Sequence, residues 1–219
     1  MHDQPQPGVR LLTVCGSLQQ RSANRAAISV ASSVAVARGA TVDDFDRLGD
    51  IPAFNVDHDD EHTEVVEDWR HRVDTADVVL VAAPEYAGGV AGAVKNAFDW
   101  LVGSGNMYRK PVAVISAGTS GGRYARQAMA QTLTWQGAYV VAELGITAPR
   151  TKSDDHGRLT DVPTIMAISS LTELLLDGAA MPAAALVDLA GRVLGSLGID
   201  TAHLTPAVTA TSRSGPAAS

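Results

Sequence analysis

Two patterns of apolar and polar positions alternate along this chain. Short runs are apolar at nearly every position, and longer stretches carry an apolar residue at every third or fourth. Val9–Val14 is a short run that stops at Gly16 and predicts a buried strand. An alanine-rich stretch from Asn24 to Arg38 follows, with Ala27, Ile28, Ala31 and Val34 at helical spacing and Asn24 suited to the cap. Thr41–Phe45 predicts a weaker strand, and Ile51–Asn55 a loop marked by Pro52. Asp60 to Thr75 predicts a helix whose acidic first turn suits the helix dipole. Val78–Ala83 is the most apolar run and predicts the central strand.

Pro84 then opens a Gly-rich turn. Helical spacing resumes over Gly92–Val102, through Val94, Ala97, Phe98 and Leu101. Pro111–Ser116 predicts another strand, Arg123–Gln136 a helix and Tyr139–Ala142 a further strand. Beyond Arg150 the alternation fades into a charged loop, Lys152–Gly157, and two helices, Pro163–Asp177 and Pro182–Leu197. The pattern leaves open whether these two helices cover the sheet or build an interface. Thr201–Ser219, rich in Pro, Ala, Ser and Thr, reads as a disordered tail. Buried strands alternating with helices specify an α/β fold: a doubly wound parallel sheet covered on both faces, in one domain over residues 1–200.

Composition narrows the function. The chain has 219 residues, 46% of them hydrophobic and only 5% aromatic, so the core is built from Val, Leu, Ile and Ala. A net charge of −7 without a basic block argues against nucleic acid as a partner. No apolar run approaches the roughly 18 residues of a membrane span. The opening Met-His-Asp-Gln-Pro-Gln-Pro lacks a signal-peptide layout. Cys15 is the single cysteine, so no internal disulfide forms, and the expected location is the reducing cytoplasm.

In doubly wound folds ligands bind at the carboxyl ends of the strands. Three loops leave such ends. Gly16 to Asn24 offers the hydroxyls of Ser17 and Ser22 beside a helix start, a combination suited to a terminal phosphate. An ordinary capped connection fits the same residues. No Gly-Lys-Ser/Thr closes this loop and no G-x-G-x-x-G is present, which sets aside the Walker and dinucleotide turns. Pro84-Glu85-Tyr86-Ala87-Gly88-Gly89 has adjacent glycines against which a flat ligand fits, or it is a flexible turn with Tyr86 outward. Ser116-Ala117-Gly118-Thr119-Ser120-Gly121-Gly122-Arg123 allows the same two readings. His58 and His62, with carboxylates between them, read as a solvated helix entry rather than a metal site, and no metal is expected. Cys15 reads as a small buried hydrophobe, and Trp69, Trp100 and Trp135 as packing or interface residues.

Together these residues resemble the NADPH-dependent FMN reductase family, which has a flavodoxin-like fold. Gly16-Ser17-Leu18 with Ser22 and Asn24 resembles the family's phosphate loop, GSLRxxSxN. Pro84-Glu85-Tyr86 through Val94-Lys95-Asn96-Ala97-Phe98-Asp99-Trp100 resembles its longest and most specific motif, and Ser116 to Gly122 its third loop. The resemblance covers roughly residues 9–145. It implies a five-stranded, three-layer sandwich and an FMN-containing oxidoreductase. Hydride would pass from NADPH or NADH through FMN to a flavin, quinone or similar acceptor, in a homodimer or homotetramer. It implies that Ser17, Gln19, Ser22 and Asn24 hold the phosphate. Pro84, Glu85, Tyr86 and Ala87 would line the flavin ring, with Ser116 and Gly118 closing the other side. Because the flavin does the chemistry, no catalytic side chain is expected. Lys95 and Asp99 are expected to form a surface ion pair. The chain departs from the family at Gln19, where Arg is usual, and at Ala87, where Asn is usual. Gly89 and Ala91 replace the usual Ser and Pro. Arg21 or Arg25 is positioned to supply the charge missing at Gln19. A flavin-binding electron carrier or redox sensor without steady NADPH turnover is the alternative these residues leave.

Overall fold

The computed structural model describes residues 8–58 and 63–201. The expected tail beyond Thr201 and the cluster from Asp59 to His62 lie outside the described residues. In chain order the elements are β1 (Arg10–Cys15), α1 (Ala23–Ala37), β2 (Thr41–Phe45), α2 (Glu64–Thr75) and β3 (Val78–Ala82). The hairpin β4 (Glu85–Tyr86) and β5 (Gly89–Val90) precedes α3 (Gly92–Asp99). β6 (Pro111–Gly118), α4 (Arg123–Trp135), β7 (Tyr139–Thr147), α5 (Val162–Gly178) and α6 (Ala183–Leu197) complete the series.

Five strands form one parallel sheet in the order β2-β1-β3-β6-β7. With the hairpin set aside, that is the flavodoxin order, whose switch point lies between β1 and β3. Alternate residues face opposite layers. Leu12, Val14, Val79 and Val81 pack with Trp69, Phe98 and Leu133 from α2, α3 and α4. Leu11, Leu80, Ala82 and Ile115 pack with Ala27, Ala31, Ile168 and Leu175 from α1 and α5. α6 runs along the edge strand β7, with Leu186 in one layer and Leu194 in the other. The C-terminal helices therefore cover the sheet, and α6 shields an edge otherwise open to pairing.

Four local expectations are revised. Ser22, not Asn24, is the cap of α1: its hydroxyl accepts from the Arg25 amide at 3.1 Å, and Asn24 already lies inside the helix. β7 runs on past Ala142 to Thr147, and its apolar pattern breaks because Glu143 pairs with Arg126. The helix after the hairpin ends at Asp99 rather than Val102. The segment after Pro84 is a hairpin rather than a flexible turn. Lys95 and Asp99 form the expected i,i+4 ion pair. Trp69 and Trp100 are buried and donate to the Ala97 and Pro52 carbonyls at 2.8 and 2.9 Å, whereas Trp135 is 71% exposed.

Candidate cofactor site

β1 and β3 enter the site in contact. Gly16 donates its amide to the Ala82 carbonyl at 2.8 Å. A Cβ at Gly16 would press on Val94 and lie 2.6 Å from the Ala83 Cβ, so only glycine lets the first loop pass the end of β3 here. Beyond it Ser17 is buried, its Oγ accepting the Gln19 amide at 3.4 Å, and Ser22 closes the loop as the cap of α1. Cys15 is buried beneath, its thiol against the Ser17 carbonyl at 3.6 Å.

Asn24 ties this loop to the third. Its Oδ1 accepts the Ala117 amide at 2.9 Å, and its Nδ2 donates to the Ala117 carbonyl at 3.3 Å. The side chain is 2% exposed, so both bonds are shielded from water. Asn24 is thus brought to the loop expected to hold a phosphate, and there it serves as a clamp between two strand ends. Arg25 faces Asp44 at 3.5 Å, and Asp44 also accepts from Thr13 at 2.7 Å.

Glu85 joins the hairpin to the third loop in a similar way. Its Oε2 accepts the Tyr124 and Ala125 amides at 2.7 and 3.1 Å, capping α4 from outside, since its own cap residue, Gly122, has no side chain to do so. Gly122 is left-handed at φ 59° and sits on Ser116, whose Cβ would lie 2.5 Å from an added Cβ. The Ser116 hydroxyl is buried without a hydrogen-bond partner. Arg126 packs behind this loop, donating from Nε to the Gly121 carbonyl at 3.1 Å and pairing with Glu143. Burial pulls the Arg126 guanidinium below its ordinary value, with Arg123 adding repulsion.

A cavity of about 640 Å³ opens at this end of the sheet. Ser17, Gln19, Ser22, Asn24, Pro84 and Tyr86 line it, so six of the expected residues meet at one site. Glu85, Ala87, Ser116 and Gly118 reach the same end of the sheet without lining this cavity. Ala87 occupies the hairpin turn at φ 50°, and the Gly118 carbonyl accepts the Gly121 amide at 3.2 Å.

The segment Pro149–Leu159 forms the far wall, and it was missed as a site on sequence. The missing signal was the true length of β7. A loop leaving the carboxyl end of a parallel strand at Thr147 lies on the ligand side, whereas a strand ending at Ala142 places no such demand. The wall is a short hairpin closed by a bridge between Ser153 and Leu159. Asp154 pins it, accepting the His156 and Arg158 amides, each at 2.9 Å, and the Arg158 Nε at 2.8 Å. Those donors, the Arg158 amide foremost, hold the Asp154 carboxyl below the usual carboxylate range.

The strand order defines a flavodoxin-like α/β protein, with a hydroxyl-bearing loop between β1 and the start of α1 lining a crevice at the carboxyl ends of the strands. Residues 9–151 match the NADPH-dependent FMN reductase family, and the chain belongs to it. It is 32% identical over 160 residues to an NAD(P)H-dependent FMN reductase of Pseudomonas aeruginosa, covering 70% of this chain and 85% of that one. It is 33% identical over 118 residues to an NAD(P)H:quinone oxidoreductase of Solanum tuberosum, covering 52% of this chain. That match spans only 60% of the potato protein. The fold is shared with the flavoenzyme NAD(P)H:acceptor oxidoreductase of Paracoccus denitrificans at TM-score 0.67 and 24% identity, over 78% of this chain and 97% of that one.

Proposed function

We propose that this chain is an NAD(P)H-dependent oxidoreductase that holds FMN at the carboxyl ends of β1 and β3 and reduces a flavin or quinone-like acceptor. One observation carries the reading: a single cavity joins the Ser17–Ser22 loop to Pro84 and Tyr86 of the hairpin. The donor set suits the group. Two hydroxyls, the Gln19 amide group and the positive end of α1 match a phosphate dianion. The orphaned Ser116 hydroxyl is a buried donor in want of an acceptor at the same end of the sheet.

FMN, when bound, supplies a ring that takes up a hydride and gives up the electron pair to a second substrate. The residues of the chain bind and shape. Ser17, Gln19 and Ser22 hold the phosphate, and Asn24 fixes that loop against Ala117. Pro84 and Tyr86, which line the cavity, would face the ring, and the adjoining Glu85, Ala87, Ser116 and Gly118 would complete that side. Tyr86, 56% exposed at the cavity mouth, shields the ring from water when the cavity fills. No side chain is assigned a proton-transfer role.

Residues 1–200 act as one domain in this reading. Among the described residues no helix is long and apolar enough to cross a membrane. A cytoplasmic site of action fits that and the single thiol. A homo-oligomer fits the exposed Trp135, Tyr108 and Val102, which gather around one groove between α3 and α4. The test is steady-state oxidation of NADPH with FMN or a benzoquinone as acceptor. The reading expects sustained turnover with parallel double-reciprocal lines. Consumption of NADPH that stops after one equivalent per bound flavin would favour the carrier reading.

A further inference from the structure

We infer that Asn96 of α3 is a positioning residue for the Ser17–Ser22 loop, a role that rests on that loop holding the flavin phosphate as proposed above. Asn96 does not line the cavity and acts through a neighbouring segment. The two ends of the loop are tied to strands: the Gly16 amide donates to the Ala82 carbonyl, and Asn24 bonds the Ala117 backbone. The middle has a different support. Leu18, between the cavity-lining Ser17 and Gln19, is 65% exposed, yet its side chain lies over Gly49. A Cβ at Gly49 would meet the two Leu18 methyls at 3.4 and 3.8 Å, ordinary van der Waals contact.

Gly49 belongs to a single 3-10 turn, Leu48–Asp50, in the segment that leaves the carboxyl end of β2. So short a turn has too few bonds of its own to keep a fixed position. Leu48 is buried beneath it, and α3 holds the stretch that follows. The Asn96 Oδ1 accepts the Phe54 amide at 2.8 Å, and its Nδ2 donates to the Pro52 and Ile51 carbonyls at 2.8 and 3.4 Å. One helical turn later the buried Trp100 donates to the same Pro52 carbonyl at 2.9 Å, and its ring meets Phe54 edge-on, with centroids 5.2 Å apart. α3 also reaches the loop directly. Val94 packs against Gly16, where an added Cβ would press on it. Residues two apart on a helix point to different sides. Val94 therefore sets where the loop begins, and Asn96 sets the shelf under its middle. The Val94–Trp100 part of the chain's longest motif thus has a task besides the Lys95–Asp99 ion pair. If the shelf shifts, Leu18 follows it and carries Ser17 and Gln19 away from hydrogen-bond distance of the phosphate. The ring, which lies against the hairpin, is untouched.

The test compares FMN with riboflavin, which has the same ring and no phosphate, by fluorescence quenching with the full chain. The unaltered protein should prefer FMN. Asn96→Ala should weaken FMN about tenfold and leave riboflavin within about twofold, so the preference falls at least about fivefold. Asn96→Asp, which keeps the acceptor for Phe54 and loses both donors, is the milder variant and should lower the preference in the same direction. Leu18→Ala removes an exposed side chain without disturbing the core, and it should lower the preference about threefold. Both positions act through one contact, so the double variant Leu18→Ala/Asn96→Ala should bind FMN within about twofold of Asn96→Ala alone. Riboflavin weakened in step with FMN would give Asn96 a merely structural part and overturn the inference. So would a preference unchanged at either position, or losses that multiply in the double variant. An unaltered protein that binds riboflavin as tightly as FMN would instead remove the phosphate loop as a site, and the role of Asn96 with it.

Discussion

One carboxamide joins two strand ends. Asn24 both accepts from and donates to the backbone of Ala117, at 2.9 and 3.3 Å, across 93 positions of sequence. Replacing it with Ala leaves a buried amide and a buried carbonyl unpaired, and each such loss costs about 1–3 kcal/mol. Asn24→Ala should therefore lower the unfolding free energy by about 2–6 kcal/mol in urea denaturation. It should also weaken FMN binding, because the loop it holds carries Ser17 and Ser22. An unchanged urea midpoint would show that the two loops hold their places without the clamp.

Gln19 stands exposed on the cavity rim, where a guanidinium would meet the phosphate as a charged donor. Gln19→Arg should tighten FMN by about 1–2 kcal/mol, roughly tenfold, in a fluorescence titration at low salt. The gain should shrink as salt screens the pair. Equal affinities would mean that Arg21 or Arg25 already supplies this charge, or that this loop is not the phosphate site.

Ala87 adopts φ 50° in the two-residue turn between β4 and β5. A left-handed alanine costs about 1–2 kcal/mol, and asparagine tolerates the region better. Ala87→Asn should raise stability by about 1 kcal/mol, a rise in Tm of about 2–4 °C for a chain of this size. A lower Tm would show that the hairpin is set by other contacts.

Asp161 caps α5, accepting from the Thr164 hydroxyl at 2.6 Å and from its amide at 3.0 Å. These bonds, the hydroxyl foremost, hold its carboxyl below the ordinary 3.8. A depressed folded value means that the unfolded chain takes up the proton first. The contribution is therefore complete above pH 3.8 and is lost as pH falls below it. Asp161→Asn should shorten the acid limb of a Tm-against-pH profile and leave its dependence on pH unaltered near neutrality. An acid limb identical in the two proteins would place the acid sensitivity elsewhere.

The layer structure was legible because runs such as Val78–Ala82 are buried on both faces and so lack any polar alternation. The three loops were legible through residues whose chemistry is local, such as the Ser22 hydroxyl at the start of α1. Three features were hidden, each because it depends on a distant partner. Asn24 was expected to bind phosphate, and its carboxamide is taken by Ala117. Glu85 was expected to line the ring mostly through its backbone, and the part its carboxylate plays, capping a helix that begins 38 residues later at Arg123, was not foreseen. The Pro149–Leu159 wall escaped because Glu143 breaks the apolar pattern of β7, and only its pairing with Arg126 makes that residue tolerable in a strand.

The central claim is that this chain binds FMN and reduces it with a nicotinamide nucleotide. The most direct measurement is the anaerobic absorbance spectrum of the FMN-loaded protein before and after NADPH. The account predicts rapid loss of the oxidised flavin band, with recovery when a quinone is added. A bound flavin that keeps its oxidised spectrum with both NADPH and NADH would contradict it.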